Sequence, residues 1–182
     1  MSMTELHLAL LAEAPRHGYD IKQEHDAWFP DSRPLAFGQV YATLARLQRD
    51  GLAQVVETRT DGGPERTVYA LTEDGERRLR AWLAEPAAAT GSGAEEIVRK
   101  TIAALHTGID VQGFVTRQRA AHLRRMRELQ QTPSGAGAAE RLVREHLIAH
   151  LDADLRWLEL ATDLLPSAGQ QSFRTPAERK SS

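Results

Sequence analysis

The pattern of apolar positions predicts a chain made mostly of helices. In seven segments, apolar residues recur every three or four positions, which places them on one face of a helix. These segments are 4–13, 18–28, 35–50, 73–84, 95–106, 110–131 and 138–165. Between the third and fourth, residues 52–58 and 67–71 are rich in β-branched residues and enclose the turn sequence Asp-Gly-Gly-Pro. This arrangement predicts a β-hairpin.

The third predicted helix has two contrasting faces. Val40, Leu44 and Leu47 form an apolar stripe at i, i+4, i+7. The opposite face is expected to carry small, polar and basic residues, namely Gln39, Ala42, Thr43, Arg46 and Arg49. Gln can bond adenine edges, Arg can bond guanine edges or phosphates, and Thr can bond either base. These side chains suit a helix in a DNA major groove, although this segment alone equally fits an ordinary surface helix.

The order of the elements favours the DNA-binding interpretation. Two helices precede this helix and a hairpin follows it, which is the order of a winged helix-turn-helix. We therefore predict a mainly α fold with a small β-hairpin, in which an N-terminal winged helix-turn-helix precedes a C-terminal helical dimerisation domain. The expected boundaries are 1–85 for the DNA-binding domain, 86–94 for a flexible linker, 95–165 for the helical domain and 166–182 for a disordered tail.

Short motifs in the first half resemble those of PadR-type transcriptional regulators. They follow one another in the family's order and spacing: His17-Gly18-Tyr19-Asp20-Ile21, Gly38-Gln39-Val40-Tyr41, Gly51-Leu52 and Tyr69-Ala70-Leu71-Thr72-Glu73-Asp74-Gly75. The second half is similar to the family's dimerisation region in length and helicity. The resemblance implies a DNA-binding homodimer and a phosphate contact by Tyr41, for which packing is the alternative. Ala36 stands where many members have Ser, which puts a hydroxyl cap at the helix start in doubt.

Eight residues are predicted to contact double-stranded DNA. They are Lys22, Gln39, Tyr41, Thr43, Arg46, Arg49, Arg59 and Arg66. Arg59 and Arg66 flank the tip of the hairpin, where they would straddle the DNA backbone or enter the minor groove. Many PadR-type proteins have two adjacent basic residues near here, whereas this chain has Glu65-Arg66-Thr67. We therefore expect a weaker contribution from the hairpin.

The charge distribution is unusual for a DNA-binding domain. Residues 1–85 contain 10 Lys and Arg against 14 Asp and Glu, a net −4, and residues 86–182 contain 13 against 11, a net +2, which together give the −2 of the whole chain. DNA-binding domains are usually basic because most of their affinity comes from phosphate contacts. Specific DNA binding therefore requires local clustering of the basic residues. The alternative function is a winged-helix protein–protein adaptor without specific DNA binding.

The last predicted helix has more apolar surface than one neighbour can cover. One arc contains Val143, Leu147, Leu151, Leu155, Leu158, Thr162 and Leu165, and a second stripe contains Leu142, Trp157, Leu160 and Leu164. A helix that is apolar on two sides needs two partners. We expect a second copy of the chain to provide one, which gives a homodimer through 138–165. A two-fold dimer would present two recognition helices to a roughly palindromic operator.

Three residues are candidates for an effector pocket. Trp28, Trp82 and His122 could line a site between the two domains for a small molecule whose binding releases the DNA from a repressor. Burial in an ordinary core is the alternative for each of them.

Other chemistry finds little support in the sequence. His146, His150 and Asp154 have a spacing that can hold a divalent metal, but a zinc site needs three or four ligands, so we expect no metal site and place the histidines at a polar edge of the dimer interface. The catalytic and nucleotide-binding motifs are missing, so no catalytic residue, cofactor or enzymatic activity is expected. The lack of cysteine fits a cytoplasmic protein, and the N-terminal apolar stretch suits neither a signal peptide nor a membrane span.

Overall fold

The computed structural model describes residues 3–59, 66–90, 94–131 and 137–164. They form two compact units, of which the first extends to Trp82 and the second begins at Leu83. Seven helices and three strands lie in these ranges. Within them, no helix combines the length and the apolar character that crossing a membrane requires.

The first unit is a winged helix-turn-helix. Its elements are α1 (Met3–Glu13), β1 (Arg16–His17), α2 (Gly18–Trp28), α3 (Phe37–Arg49), β2 (Ala53–Arg59), β3 (Arg66–Leu71) and α4 (Glu73–Ala84), whose last two residues belong to the second unit. The three strands form an antiparallel sheet in the order β1-β3-β2. Three helices followed by a hairpin confirm the predicted fold class. The sequence pattern missed β1, because two residues are too few to show an alternation.

The core of the first unit is formed by α1 and by the apolar stripes of α2 and α3. Almost all of α1 from Glu5 to Leu11 is buried, so this helix is enclosed on every side. Val40, Leu44 and Leu47 of α3 are fully buried, as their spacing predicted. Gly51 ends α3 with a φ of +72°, a left-handed conformation that favours glycine after a helix.

The start of α4 is fixed to the end of α3. The Gly75 N–H donates to Thr72 Oγ1 at 3.1 Å, which confirms the predicted cap, and the Thr72 hydroxyl donates to the Gly51 carbonyl at 2.7 Å. Because one side chain joins both helix ends, the direction in which α4 leaves the sheet follows from the position of α3.

The second unit contains α5 (Ala94–Thr107), α6 (Val111–Gln131) and α7 (Ala138–Leu164). Its core cluster combines residues of all three helices with one residue that precedes them: Ala87, Ile97, Phe114, Val115 and Leu158, with Trp157 packed against it. On α7, Leu151, Leu155 and Leu158 are buried, whereas other apolar residues of the two predicted stripes are exposed: Leu142, Val143, Leu160 and Leu164.

The segment that leads from α4 to α5 is held by α5 and α6. The Gln118 carboxamide accepts from the Ala87 N–H at 2.6 Å and donates to the Ala87 carbonyl at 3.0 Å, and both residues are buried. Buried Lys100 donates to the Glu85 carbonyl at 2.7 Å, and Arg117 donates to the Ala84 carbonyl at 3.0 Å. The expectation of a flexible linker is therefore wrong at its start. Composition suggested flexibility, but polar side chains from distant helices satisfy the backbone groups.

Candidate nucleic-acid interface

The exposed face of α3 is polar and contains no acidic residue. Gln39, Arg46 and Arg49 are exposed, as predicted, and the helix from Phe37 to Arg49 contains no Asp or Glu. The two arginines lie in the last turn, where a positive charge also complements the helix dipole. The helix is thus locally basic within a unit that is acidic overall.

The prediction that Thr43 lies on this exposed face is wrong. Thr43 is only 5% exposed, and its hydroxyl donates to the Gln39 carbonyl of the preceding turn at 2.9 Å. Position 43 is three residues after Val40 and four before Leu47, so helical geometry places it on the buried stripe. The sequence interpretation followed the polarity of the side chain where the spacing was the better guide.

The two arginines of α3 have different surroundings. The Arg46 guanidinium donates to the Thr4 hydroxyl of α1 at 2.8 Å, which fixes its direction. Arg49 donates through Nε to Asp50 at 3.1 Å, and both side chains are largely exposed. The Asp50 carboxylate therefore offsets part of the positive charge that Arg49 contributes to this surface.

Lys22, predicted to contact DNA, is engaged within the protein. Its ammonium lies 2.6 Å from an Asp26 carboxylate oxygen and 5.4 Å from the centroid of the Phe37 ring. Asp26 also accepts the Leu35 N–H at 3.1 Å and so closes the turn between α2 and α3. Burial raises the pKa of Asp26, but hydrogen bonds from Lys22 and Leu35 outweigh it, so the pKa lies below its usual value. Sequence reasoning missed Asp26, since its partners only meet in the fold.

Tyr41 stands at the edge of the same surface. It is half exposed, and its ring lies so close to Gly18 that a Cβ atom there would be 2.7 Å from Tyr41 Cε1. Burial, and then Tyr41, raise the pKa of Tyr69. The Tyr41 ring thus packs on one side while part of it reaches solvent. The structure supports both halves of the prediction, packing and an accessible hydroxyl.

The hairpin candidates are only partly within the described structure. Arg59 of β2 pairs with Arg66 of β3 in the last register position of the ladder. Their side chains, and residues 60–65 at the tip with Asp61 and Glu65, lie outside what the structure describes. The DNA contacts of Arg59 and Arg66 stay a prediction.

Many acidic residues of the first unit form ion pairs with its own arginines. Buried Glu5 of α1 accepts from Arg78 of α4 at 2.7 Å. Arg16 donates to Glu24 at 3.2 Å and also pairs with Glu13. These pairs explain how a unit of negative net charge keeps the exposed face of α3 free of acidic side chains up to Asp50.

The three effector-pocket candidates do not form one cluster that the structure describes. Trp28 is buried in the first unit and donates through Nε1 to Glu24 at 3.2 Å, and Trp82 is half-buried. His122 is fully buried in the second unit, with Nε2 3.2 Å from an Asp154 oxygen and Nδ1 3.0 Å from the Gln118 carbonyl. Both ring nitrogens of His122 therefore have partners, and the effector role of all three residues stays a prediction.

The histidine pair of α7 lacks a third ligand in the described residues. His146 and His150 bring their Nε2 atoms to 3.1 Å, while Asp154 bonds His122 instead. No group of three or more His, Cys, Asp or Glu that could hold a metal ion lies within the described ranges.

Comparison with known proteins identifies the first unit. Residues 7–81 match the "Transcriptional regulator PadR-like family". A curated protein of Mycobacterium tuberculosis (strain ATCC 25618 / H37Rv), "Probable transcriptional regulator Rv1176c", is 26% identical over 93 residues, which cover 51% of this chain and 49% of that protein. The chain thus spans about half the length of this curated relative.

Solved structures of Bacillus subtilis PadR resemble the chain over most of its length. The complex with operator DNA is 19% identical, covers 87% of this chain and 96% of its own, and gives a TM-score of 0.46. The complex with p-coumaric acid is 20% identical, covers 90% and 98%, and gives a TM-score of 0.41. The family match confirms the resemblance drawn from the motifs: through residues 7–81, the chain belongs to the transcriptional regulator PadR-like family.

Proposed function

We propose that the chain is a sequence-specific regulator of transcription that binds double-stranded DNA through α3, which we call the recognition helix. The observation that carries this proposal is the exposed face of α3, where Gln39, Arg46 and Arg49 are accessible and no acidic side chain occurs. Gln and Arg are the residues that read adenine and guanine edges. The winged helix-turn-helix around α3 is a scaffold that places such a helix in the major groove.

A homodimer is supported by the exposed apolar residues of α7. Leu142 and Leu164 are 72% and 75% exposed, and Val143 and Leu160 are more than half exposed. Apolar side chains at such a density on one helix are typical of an interface. We infer that a second copy covers them, so that two recognition helices meet a roughly palindromic operator.

A ligand-responsive repressor is the form of regulation that fits the contacts between α4 and α6. Arg117 of α6 bonds the terminal carbonyls of α4, and Gln118 holds Ala87 just beyond. On the same helix, Gln118 is hydrogen-bonded to His122, which reaches Asp154 of α7. A small molecule that displaces α6 would therefore move the end of α4. It can switch the protein only if it binds one arrangement more tightly than the other.

An Arg46→Ala variant tests the assignment of the recognition helix. We expect operator affinity to fall about 10- to 100-fold, since a good bidentate base contact contributes about 1–3 kcal/mol. Discrimination against unrelated DNA should fall as well. Binding of operator and random duplexes to both proteins provides the measurement. Arg80→Ala is a matched control, because Arg80 is an exposed arginine on α4 paired with Glu76. Unchanged operator binding by the Arg46 variant would refute the assignment.

Exchanges at Arg49 and Asp50 should act in opposite directions. Arg49→Ala is expected to weaken binding to all sequences and to reduce the slope of log affinity against log salt by about 0.9, the effect of one phosphate contact. Asp50→Asn should tighten binding, because it frees the Arg49 guanidinium. Titrations at four salt concentrations measure both.

Asp163→Asn on α7, an exposed site in the other unit, makes the same charge change and controls for net charge. In the Arg49→Ala background, Asp50→Asn should lose most of its effect. Equal tightening by Asp50→Asn and Asp163→Asn would contradict the phosphate contact of Arg49.

A Gly18→Ala variant should displace Tyr41 and weaken DNA binding without unfolding the protein. The added Cβ would meet only the outer atoms of the Tyr41 ring, which can move. If the Tyr41 hydroxyl bonds a phosphate, its loss costs about 1 kcal/mol, or about fivefold in affinity. Tyr41→Phe, which removes only the hydroxyl, should weaken all DNA sequences by a similar factor. A Tyr41→Phe variant that binds like the wild type would leave packing as the role of Tyr41.

A further inference from the structure

Phe37 is an apolar ring on a surface that is otherwise polar. It is the first residue of α3, and its side chain is 44% exposed. The sequence pattern placed it at the entry of the buried stripe, yet the ring lies outside the core. A single exposed apolar residue needs no explanation by itself. The surroundings of this ring do need one, because other side chains hold it in place.

Residues of α2 hold the Phe37 ring from its sides. The Tyr19 ring stacks on it with centroids 5.8 Å apart and an interplanar angle of 14°. The Lys22 ammonium lies 5.4 Å from the Phe37 centroid, and Asp26 fixes that ammonium. The Tyr19 hydroxyl in turn accepts from Gln23 Nε2 at 2.8 Å. A ring oriented in advance loses little conformational entropy when it binds a ligand.

The position and chemistry of Phe37 limit what it can recognise on DNA. The N-terminal residues of a recognition helix are those that contact base edges. A phenyl ring offers no hydrogen bond, and the apolar feature of an unmodified base pair in the major groove is the C5-methyl group of thymine. Lys22 is unsuited to a phosphate contact, since its charge is already paired with Asp26.

We propose, on the basis of the proposed DNA-binding function, that Phe37 is a specificity-determining residue that contacts the C5-methyl group of a thymine in each operator half-site. Tyr19 and Lys22 are positioning residues that orient the ring. A ring that lay against deoxyribose instead would be insensitive to the methyl group, so the two contacts are distinguishable by chemistry at a single atom.

The test replaces thymine by uracil, which lacks only this methyl group. After the operator is defined, each symmetric pair of thymines is exchanged in turn, and the Kd of the full-length protein is measured for every duplex. At one pair the exchange should weaken binding about fourfold per half-site, the value of one buried methyl group. Phe37→Ala should bind the thymine and uracil operators equally, whereas Gln39→Ala should keep the discrimination.

Tyr19→Ala keeps the ring but removes its stacking partner, so it should reduce the ratio of the two affinities while Phe37 is still present. If the wild type binds its operator but shows no uracil effect at any pair, or if Phe37→Ala shows the same ratio as the wild type, the methyl contact is wrong and the proposed function still stands. If the wild type selects no operator, both the proposed function and this inference fail.

Discussion

Gly75→Ala is expected to lower the free energy of unfolding by about 2–3 kcal/mol, the range for an overpacked core. A Cβ atom at Gly75 would lie 2.1 Å from the Leu52 carbonyl oxygen and 2.7 Å from Leu71 Cδ1. The Leu52 oxygen is a backbone atom that accepts the Thr72 N–H at 3.2 Å, so it cannot move without loss of the junction between α3 and α4. Urea unfolding followed by circular dichroism measures the change.

Gly38→Ala provides the matched control for Gly75→Ala. Both glycines are helical, but nothing lies within 4 Å of a Cβ atom at Gly38. Alanine is the better helix former by up to about 1 kcal/mol, so this variant should be more stable than the wild type. The contact at Gly75 would be refuted if its alanine variant unfolded at the same urea concentration as the wild type.

The second large effect is a loss of stability in acid that depends on His7. This histidine is fully buried in α1, and its Nδ1–H donates to the Met3 carbonyl at 2.7 Å. Its Nε2 atom has no hydrogen-bond partner in the described part of the chain. Burial lowers the pKa of His7 to about 4, with smaller lowering by His25 and Arg46, against a raising effect of the Met3 hydrogen bond. The ring is therefore neutral in the folded protein at pH 7.

The direction of the effect follows from where the proton binds. Between pH 6.5 and about 4, the unfolded chain binds a proton at His7 that the folded protein does not bind. Stability is thus greatest above pH 6.5 and falls as the pH decreases to about 4. The total contribution is about 3 kcal/mol, since each unit of pKa corresponds to about 1.4 kcal/mol.

Urea unfolding at pH 7, 5.5 and 4.5 tests this prediction with the wild type and a His7→Leu variant. Leucine fills a similar volume and cannot bind a proton, so the variant should lose less stability between pH 7 and pH 4.5. Parallel pH dependences for the two proteins would show that His7 does not account for the loss. The absolute stability of the variant does not enter the comparison, because only the slopes are compared.

Periodicity predicted the helices of this chain well because each has a clear apolar stripe. The predicted range 110–131 differs from α6 by one residue, and the cap at Thr72 follows from local chemistry alone. Elements that depend on distant partners were harder. β1 has only two residues and exists because β3 lies beside it, and Ala87 is ordered by Gln118, which is 31 positions later.

The candidate interface was predictable in part for the same reason. The exposure of Gln39, Arg46 and Arg49 follows from helical geometry, and Thr43 would have been placed correctly if geometry had been followed throughout. The pairing of Lys22 with Asp26 and the stack of Tyr19 on Phe37 were not foreseen. The first joins residues four apart on α2, a spacing that signals ion pairs and could have revealed it. The second depends on how α2 meets α3.

The central claim is that the recognition helix reads a specific DNA sequence. Selection of bound fragments from genomic DNA with purified full-length protein, followed by titration of the enriched site at two salt concentrations, tests it directly. We predict an enriched, roughly palindromic site whose affinity falls as salt increases and falls further in the Arg46→Ala variant. A folded dimer that enriches no sequence would contradict the claim and favour a winged-helix adaptor that binds proteins.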